Sequence, residues 1–155
     1  MITDFNNISS NSRIWIYGSK TILSKDLQSN IINSLSQFLD SWEYHKNPLR
    51  SAVSIFENRF VIIALDDKEY GVGGCSIDSL QRMIQEIERR LDISLLDRLN
   101  VFCKINEEIR CINVYDLNIH ANEDTLFFDL TLQRKSELSS FLKPIRDGWC
   151  FKFLS

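Results

Sequence analysis

The chain has 155 residues, of which 44% are hydrophobic and 25% charged, and these values fit one globular domain spanning residues 1–155. Its 18 basic and 21 acidic side chains give a formal net charge of −3, and the charges are dispersed along the sequence. This balance excludes binding to nucleic acid or to an anionic membrane by bulk electrostatics.

The N-terminal segment and the short length of the apolar runs indicate a cytoplasmic protein. The segment MITDFNNISS has neither the basic nor the apolar region of a signal peptide, and the longest apolar run, FVIIAL, is too short to cross a bilayer. In a reducing compartment we expect free thiols at Cys75, Cys103, Cys111 and Cys150. These cysteines show no C-x-x-C spacing and no paired histidines, so we predict no metal site, and no cofactor is indicated.

The first half of the chain alternates between strand and helix patterns. Arg13 to Tyr17 is aromatic and β-branched, which predicts a first strand. Ser24 is placed to cap a helix whose apolar face consists of Leu27, Ile31, Leu35, Phe38, Leu39 and Trp42. Ser51 to Phe56 and Arg59 to Leu65 then predict two strands joined by a tight hairpin. The second of these is apolar on both faces of the pleat, so we expect a central strand that is covered on both sides.

A helix and a second hairpin follow a glycine-rich loop. Apolar residues at helical spacing predict the helix from Ser76 to about Leu91. Asn100 to Ile105 and Ile109 to Val114 predict the hairpin, and a three-residue loop between them would place Cys103 opposite Cys111.

The order strand, helix, strand, strand, helix, strand predicts an α+β fold with a ferredoxin-like core. We expect an added edge strand and a C-terminal segment packed on the sheet. In that segment Thr125 to Leu132 fits strand or helix, Ser136 to Leu142 fits a short helix, and Trp149 to Phe153 fits a last strand or a packed terminal segment. RNA-recognition motifs share this order, but Arg59 to Leu65 lacks their full aromatic signature and the chain is acidic, so no nucleic-acid binding is predicted.

This topology places the turn after the first helix, Tyr44 to Arg50, at the same end of the sheet as the glycine-rich turn before the second helix. A helix N-terminus offers free N–H groups, and glycines let backbone N–H groups converge on an anion. We therefore predict a small-anion site at this end, formed by Gly71, Gly73, Gly74, Ser76, Lys46 and Arg50. The turn is not a P-loop, because it lacks the spacing and the lysine of that motif.

A cysteine at the start of the second helix permits a catalytic interpretation as well. The field of a helix N-terminus favours a thiolate, so Cys75 would be the nucleophile, with His45 as base and Asp66 as orienting group. Against this stands the ordinary role of a free cysteine as a small buried hydrophobic residue.

Five segments together resemble a group of short bacterial proteins: RIWIY, the W-x-x-H-x-x-P-L segment Trp42 to Leu49, NRFVIIALD, GCSIDS and the aromatic segment around Trp149. Proteins of this group have no established activity and often carry the label "ABC transporter ATPase", which implies ATP hydrolysis coupled to transport. The chain has no Walker A loop and no candidate ABC signature, and it is too short for a nucleotide-binding domain with its helical subdomain. We interpret the label as a misannotation and assign no catalytic residue from it.

The leading hypothesis is a binding module that takes a small anionic ligand or a protein partner at the Gly71 to Ser76 turn. The alternative is a thiol-dependent enzyme with Cys75 as nucleophile. A third hypothesis is a dimerising module that uses an exposed sheet edge, and the oligomeric state is left open.

Overall fold

The structure is a computed structural model that describes residues 1–68 and 73–155. Its α-helices are α1 (Lys25–Asp40), α2 (Gly74–Leu91) and α3 (Leu117–His120). Its strands are β1 (Arg13–Gly18), β2 (Glu43–Tyr44), β3 (Asn47–Pro48), β4 (Ser51–Phe56), β5 (Phe60–Leu65), β6 (Asn100–Ile105), β7 (Glu108–Asn113), β8 (Leu126–Phe128) and β9 (Leu142–Pro144). The fold class is α+β, and within the described residues no helix combines the length and apolarity that crossing a membrane requires.

The first sheet is antiparallel with the order β1-β5-β4, so the FVIIAL strand β5 lies in its centre. β4 and β5 are joined by a three-residue turn, residues 57–59, in which Glu57 and Asn58 both have a φ of 56°. Tight hairpins favour such positive φ values because they match the right-handed twist of the strands. All six residues of β5 are buried, which confirms the prediction of a central strand covered on both faces.

Helices α1 and α2 cover one face of this sheet. Ser24 caps α1 as predicted, since its side chain accepts a hydrogen bond from the N–H of Leu27 at 3.2 Å. Val61 and Ile63 of β5 share one core with the buried helix residues Ile31, Leu35, Leu39, Leu80, Ile84 and Ile87. The helical spacing of these residues gathers them on one side of each helix, which is why the sequence pattern predicts this layer.

A second antiparallel sheet, with the order β7-β6-β8-β9, packs against the opposite face of the first. Phe60 of β5 is fully buried between the sheets. Its ring centroid lies 5.2 Å from that of Phe102, 4.8 Å from that of Phe128 and 5.1 Å from that of Phe141. The predicted cover from the C-terminal part of the chain is therefore present, and each such aromatic pair adds about 0.5–1.5 kcal/mol beyond area burial.

β6 is the strand that departs from the predicted ferredoxin-like sheet. That arrangement would pair β6 with β1, whereas β6 pairs with β7 and β8 in the second sheet. Phe102 joins the core between the sheets, while Val101 and Cys103 join a third core on the far side of the second sheet. As a central strand, β6 has both edges hydrogen-bonded and both faces buried. A strand beside β1 would show the same apolar pattern, so the sequence does not distinguish the two placements.

The edge of β1 that β6 leaves open is met in part by residues 133–135. The N–H of Ile14 donates to the carbonyl of Gln133 at 3.0 Å, and the N–H of Lys135 donates to the carbonyl of Ser12 at 2.9 Å. These bonds cover only the N-terminal end of β1.

The β6–β7 hairpin turns over two residues rather than the predicted three. Asn106 and Glu107 occupy the turn with φ values of 52° and 66°. This register places Cys103 opposite Arg110, so the predicted pairing of Cys103 with Cys111 is wrong. The reason is that a one-residue change in loop length shifts every cross-strand pair.

Other boundaries also differ from the prediction. Helix α2 begins at Gly74, two residues before the predicted start. The segment Thr125 to Leu132 contains the short strand β8, and the predicted short helix at Ser136 to Leu142 is a 3-10 helix, Lys135–Ser140. Of the two alternatives for the terminal aromatic segment, the packed segment is present and the strand is not, since Phe151–Leu154 is a 3-10 helix packed against the third core.

The strained β6–β7 turn generates a stability prediction. Glu107→Gly should raise the free energy of unfolding by about 0.5 kcal/mol, because relief of a left-handed conformation costing about 1–2 kcal/mol outweighs the entropy penalty of glycine, about 0.5–1 kcal/mol. Urea unfolding measures the change. The matched control is Arg110→Gly in the interior of β7, which should destabilise the protein. A loss of stability in Glu107→Gly comparable with that of the control would contradict the prediction.

Candidate functional site

The predicted site lies where the start of α2 packs against the β2–β3 hairpin. Trp42, just after α1, donates from its indole Nε1 to the carbonyl of Ser76 at 3.0 Å. The Ser76 hydroxyl donates to the carbonyl of Glu43 at 3.1 Å. The predicted proximity of the turn after α1 and the start of α2 is therefore confirmed. Ser76 itself is buried and engaged in holding the two elements together.

Gly73 is the N-cap of α2, and the absence of a side chain there permits close packing. A Cβ built on Gly73 would lie 2.2 Å from Cε2 of Tyr44, whereas a Cβ built on Gly74 would meet nothing within 4 Å. Gly73 thus has a steric role that Gly74 does not share. Gly71, the remaining predicted glycine, lies outside the described residues.

The three predicted catalytic residues are accessible but not hydrogen-bonded to one another. Cys75 and His45 are exposed, and Asp66 is half-buried. The His45 ring centroid lies 4.1 Å from that of Tyr44, and the Asp66 carboxylate accepts from the N–H of Lys68 at 3.2 Å. In residues 1–68 and 73–155 no hydrogen bond joins the thiol, the imidazole and the carboxylate.

The two predicted cationic residues, Lys46 and Arg50, are exposed. Lys46 lies in the β2–β3 turn with a φ of 66°, directly after His45 with a φ of 51°. Arg50 lies beside Asp66 at the same end of the sheet, since its main-chain carbonyl accepts a hydrogen bond from the N–H of Asp66 at 2.9 Å. No cluster of three or more histidine, cysteine or acidic side chains capable of holding a metal occurs among the described residues.

The other three thiols are less exposed to solvent than that of Cys75. Cys103 and Cys150 are fully buried. Burial raises the pKa of Cys103 to about 12 and that of Cys150 to about 11, and at Cys103 the nearby Cys150 adds to the rise. Burial also raises the pKa of Cys111, with Arg59 opposing the shift. These three thiols are protonated near neutral pH and poorly reactive.

A cavity of about 600 Å³ lies elsewhere, along the edge of β1 that β6 leaves unpaired. Five consecutive β1 residues, Arg13 to Tyr17, line it. Successive residues of a strand point to opposite faces, so a cavity that touches all five must run along the edge of the strand. Residues of β6 and β8 form the opposite wall. The cavity therefore occupies the place where the fourth strand of a ferredoxin-like sheet would lie.

The lining is mainly apolar and includes the hydrophobic residues Ile14, Trp15, Leu95, Phe127, Leu132 and Trp149. Two buried polar atoms of lining residues have no hydrogen-bond partner in the described part of the protein, namely the hydroxyl of Tyr17 and Nδ2 of Asn100. Tyr17 is 6% exposed, so its hydroxyl is withdrawn from bulk water. A mostly apolar cavity with a few convergent polar groups is the usual form of a small-molecule site.

Two guanidinium groups give the cavity a positive character. Arg13 and Arg98 both line it. The Arg13 guanidinium lies 5.0 Å from the ring centroid of Trp15, and its Nε donates to the carbonyl of Ile14 at 3.3 Å. Burial raises the pKa of Tyr17, while the positive charges of Arg98 and Arg13 act to lower it. Neither arginine forms an ion pair with a carboxylate in the described residues.

Sequence reasoning missed this cavity because its residues look like ordinary core. The aromatic and β-branched residues of Arg13 to Tyr17 correctly predict the strand β1. No local pattern indicates that β6 joins another sheet, and the cavity exists only because it does. The phenolic hydroxyl of Tyr17 was the one available signal, since a tyrosine in a buried strand normally needs a partner.

Comparisons with protein-family models, with curated proteins and with solved structures find no match to this chain. The resemblance to the short bacterial proteins therefore stays a prediction.

The packing of Gly73 generates a paired prediction. Gly73→Ala should lower the free energy of unfolding by about 1–3 kcal/mol, because the added methyl group forces the Tyr44 ring away from the start of α2. Gly74→Ala is the matched control and should be neutral or stabilising by up to about 1 kcal/mol, since alanine favours a helix and has free space there. Urea unfolding of both variants measures the difference. Equal effects would contradict a steric role for Gly73.

Proposed function

We propose that this protein is a binding module for a small organic anion, and that the ligand occupies the cavity along β1. The observation that carries the proposal is a mainly apolar cavity lined by Arg13 and Arg98, neither of which forms an ion pair in the described residues. Tyr17 also lines this cavity, and its buried hydroxyl has no hydrogen-bond partner in the described residues. A buried polar group left without a partner costs about 1–3 kcal/mol, and a ligand acceptor that reaches the Tyr17 hydroxyl would recover that cost.

Size and charge support the same proposal. The volume of about 600 Å³ lies within the range of roughly 300–1,000 Å³ that is usual for small-molecule pockets. Arg13 and Arg98 provide fork-shaped donors that match a carboxylate or phosphate. Asp97 also lines the cavity, but its carboxylate accepts from the N–H of Leu99 at 2.9 Å. The two guanidinium groups outnumber the single carboxylate in the lining, and this charge balance favours an anionic ligand.

The start of α2 remains a second place where an anion could bind, as the sequence predicts. Its support is weaker, because the N–H of Ser76 already donates to the carbonyl of Gly73 at 3.1 Å and the Ser76 hydroxyl is engaged. The cavity offers both enclosure and unpaired polar groups, and for this reason we assign the ligand there.

Removing the Tyr17 hydroxyl should weaken ligand binding without lowering the stability of the fold. Tyr17→Phe should leave the free energy of unfolding unchanged or raise it by about 1 kcal/mol, because an unsatisfied buried group is removed. The same change should weaken binding about tenfold, because a charge-assisted hydrogen bond to the ligand is lost. Probes are benzoate, phenyl phosphate and N-acetyl-L-phenylalanine. Binding is followed by tryptophan fluorescence, since Trp15 and Trp149 line the cavity.

Ser51→Ala is the matched control for this experiment. Ser51 also carries a buried hydroxyl without a hydrogen-bond partner in the described residues, but it does not line the cavity. Its substitution should affect stability in the same direction and leave binding unchanged. Failure of all three probes to bind at millimolar concentration would overturn the proposal. Equal binding by Tyr17→Phe and the unchanged protein would remove Tyr17 from the site.

A thiol-dependent enzyme is the alternative, and the exposure of Cys75 favours it. Iodoacetamide should modify Cys75 in the folded protein and leave the buried Cys103 and Cys150 unmodified until urea is added. Mass spectrometry of the labelled peptides measures the rates. An enzyme that uses His45 as base requires His45→Ala to slow the labelling of Cys75 near neutral pH. An unchanged rate would remove this alternative and leave Cys75 as an ordinary surface thiol.

A further inference from the structure

The main-chain N–H and C=O of Ile16, in β1, point away from β5 and toward the cavity. In an antiparallel pair both groups of one residue point to the same edge, and residues two apart share that direction. The N–H of Ile14 donates across the outer edge to Gln133 at 3.0 Å, so Ile16 also faces outward. Within residues 1–68 and 73–155 the main chain of Ile16 has no hydrogen-bond partner at that edge. Both groups are therefore open to a ligand.

The open part of the edge is one residue long. On one side, the N–H of Ile14 is covered by Gln133, and its carbonyl accepts from Nε of Arg13 at 3.3 Å. On the other side, Gly18 packs against Phe102, since a Cβ built on Gly18 would lie 2.5 Å from Cε2 of that ring. This length is too short for a full peptide strand and matches a single amino-acid unit.

We infer that the ligand is an N-acyl amino acid, an inference that rests on the proposed function. In an antiparallel ladder the residue that faces Ile16 would supply an N–H and a carbonyl oxygen on either side of one carbon. An N-acyl amino acid has the same arrangement. Its N–H donates to the Ile16 carbonyl, and one carboxylate oxygen accepts from the Ile16 N–H.

The charges around Ile16 favour an acylated nitrogen over a free amino group. Arg13 and Arg98 line the same cavity and meet the carboxylate end of the ligand. A free amino acid would bring an ammonium group next to these guanidinium groups, and like charges in a partly desolvated site repel. Acylation removes that charge and keeps the N–H donor. The side chain of the ligand then occupies the apolar part of the cavity, beside Phe127 and Leu132.

The test compares N-acetyl-L-phenylalanine with three near-identical probes. O-acetyl-phenyllactate replaces the N–H by an ester oxygen, N-acetyl-L-phenylalaninamide lacks the carboxylate, and L-phenylalanine lacks the acyl group. Each change should weaken binding about tenfold or more in the fluorescence titration, because one hydrogen bond or one charge pair is lost. A tetrapeptide ending in phenylalanine presents the same N–H and carboxylate at its C-terminus. Weaker binding of the tetrapeptide identifies the ligand as a free N-acyl amino acid. Equal or tighter binding identifies it as the C-terminus of a peptide.

Amide NMR provides the direct measurement. Binding of N-acetyl-L-phenylalanine should shift the Ile16 amide resonance and slow its hydrogen exchange. Arg98→Gln should weaken binding about tenfold, whereas Arg82→Gln, an exposed arginine of α2 outside the cavity lining, should not. If fluorescence reports binding but the Ile16 amide is unperturbed, or the ester binds as tightly as the amide, the inference fails and the proposed function stands. If none of the aromatic anions binds, both fail.

Discussion

Burial of both faces of β5 is the constraint on which the rest of the architecture depends. All six of its side chains are apolar and buried, and full burial of one large side chain contributes about 1.5–3 kcal/mol. A single packing layer would leave one face of β5 exposed to solvent, so the strand requires a layer on each face. Helices α1 and α2 supply the cover on one face, and the second sheet supplies it on the other, with Phe60 at the centre of an aromatic cluster. The rest of the C-terminal part of the chain is arranged around that second cover.

The second cover has a consequence for β1. Building it takes β6 out of the first sheet, and residues 133–135 replace only part of the lost pairing. The main chain of Ile16 then has no hydrogen-bond partner at the cavity in the described residues, and Tyr17 lines the same cavity with a buried hydroxyl that also lacks a partner there. Unpaired ladder groups are a known point of attachment for extended ligands, because they reproduce half of a strand pair. In this protein the space is limited to a single unit, which restricts the kind of molecule that fits.

The start of α2 illustrates how one sequence pattern can serve packing as well as ligand binding. The glycines and the serine there predict a cradle for an anion. Gly73, however, lies where a side chain would collide with Tyr44, and Ser76 connects the helix to Glu43 through its hydroxyl. Glycine is required wherever another group approaches the main chain closely, whether that group is a ligand or an aromatic ring. Within residues 73–76, only Gly74 and Cys75 are exposed.

Local periodicity was sufficient to predict the α+β class, the capped helix α1, the stripe of α2, the β4–β5 hairpin and the central position of β5. It was also sufficient, through connectivity, to predict that the turn after α1 meets the start of α2. Each of these follows from spacing along the chain, because side chains at period two or 3.6 select a face. The register of the β6–β7 hairpin was missed because loop length, not composition, determines it. The choice of sheet for β6, and with it the cavity beside Ile16 and Tyr17, was decided only by the tertiary structure. Pairing between distant strands depends on which edges remain free after the whole core has closed, and no local pattern records that.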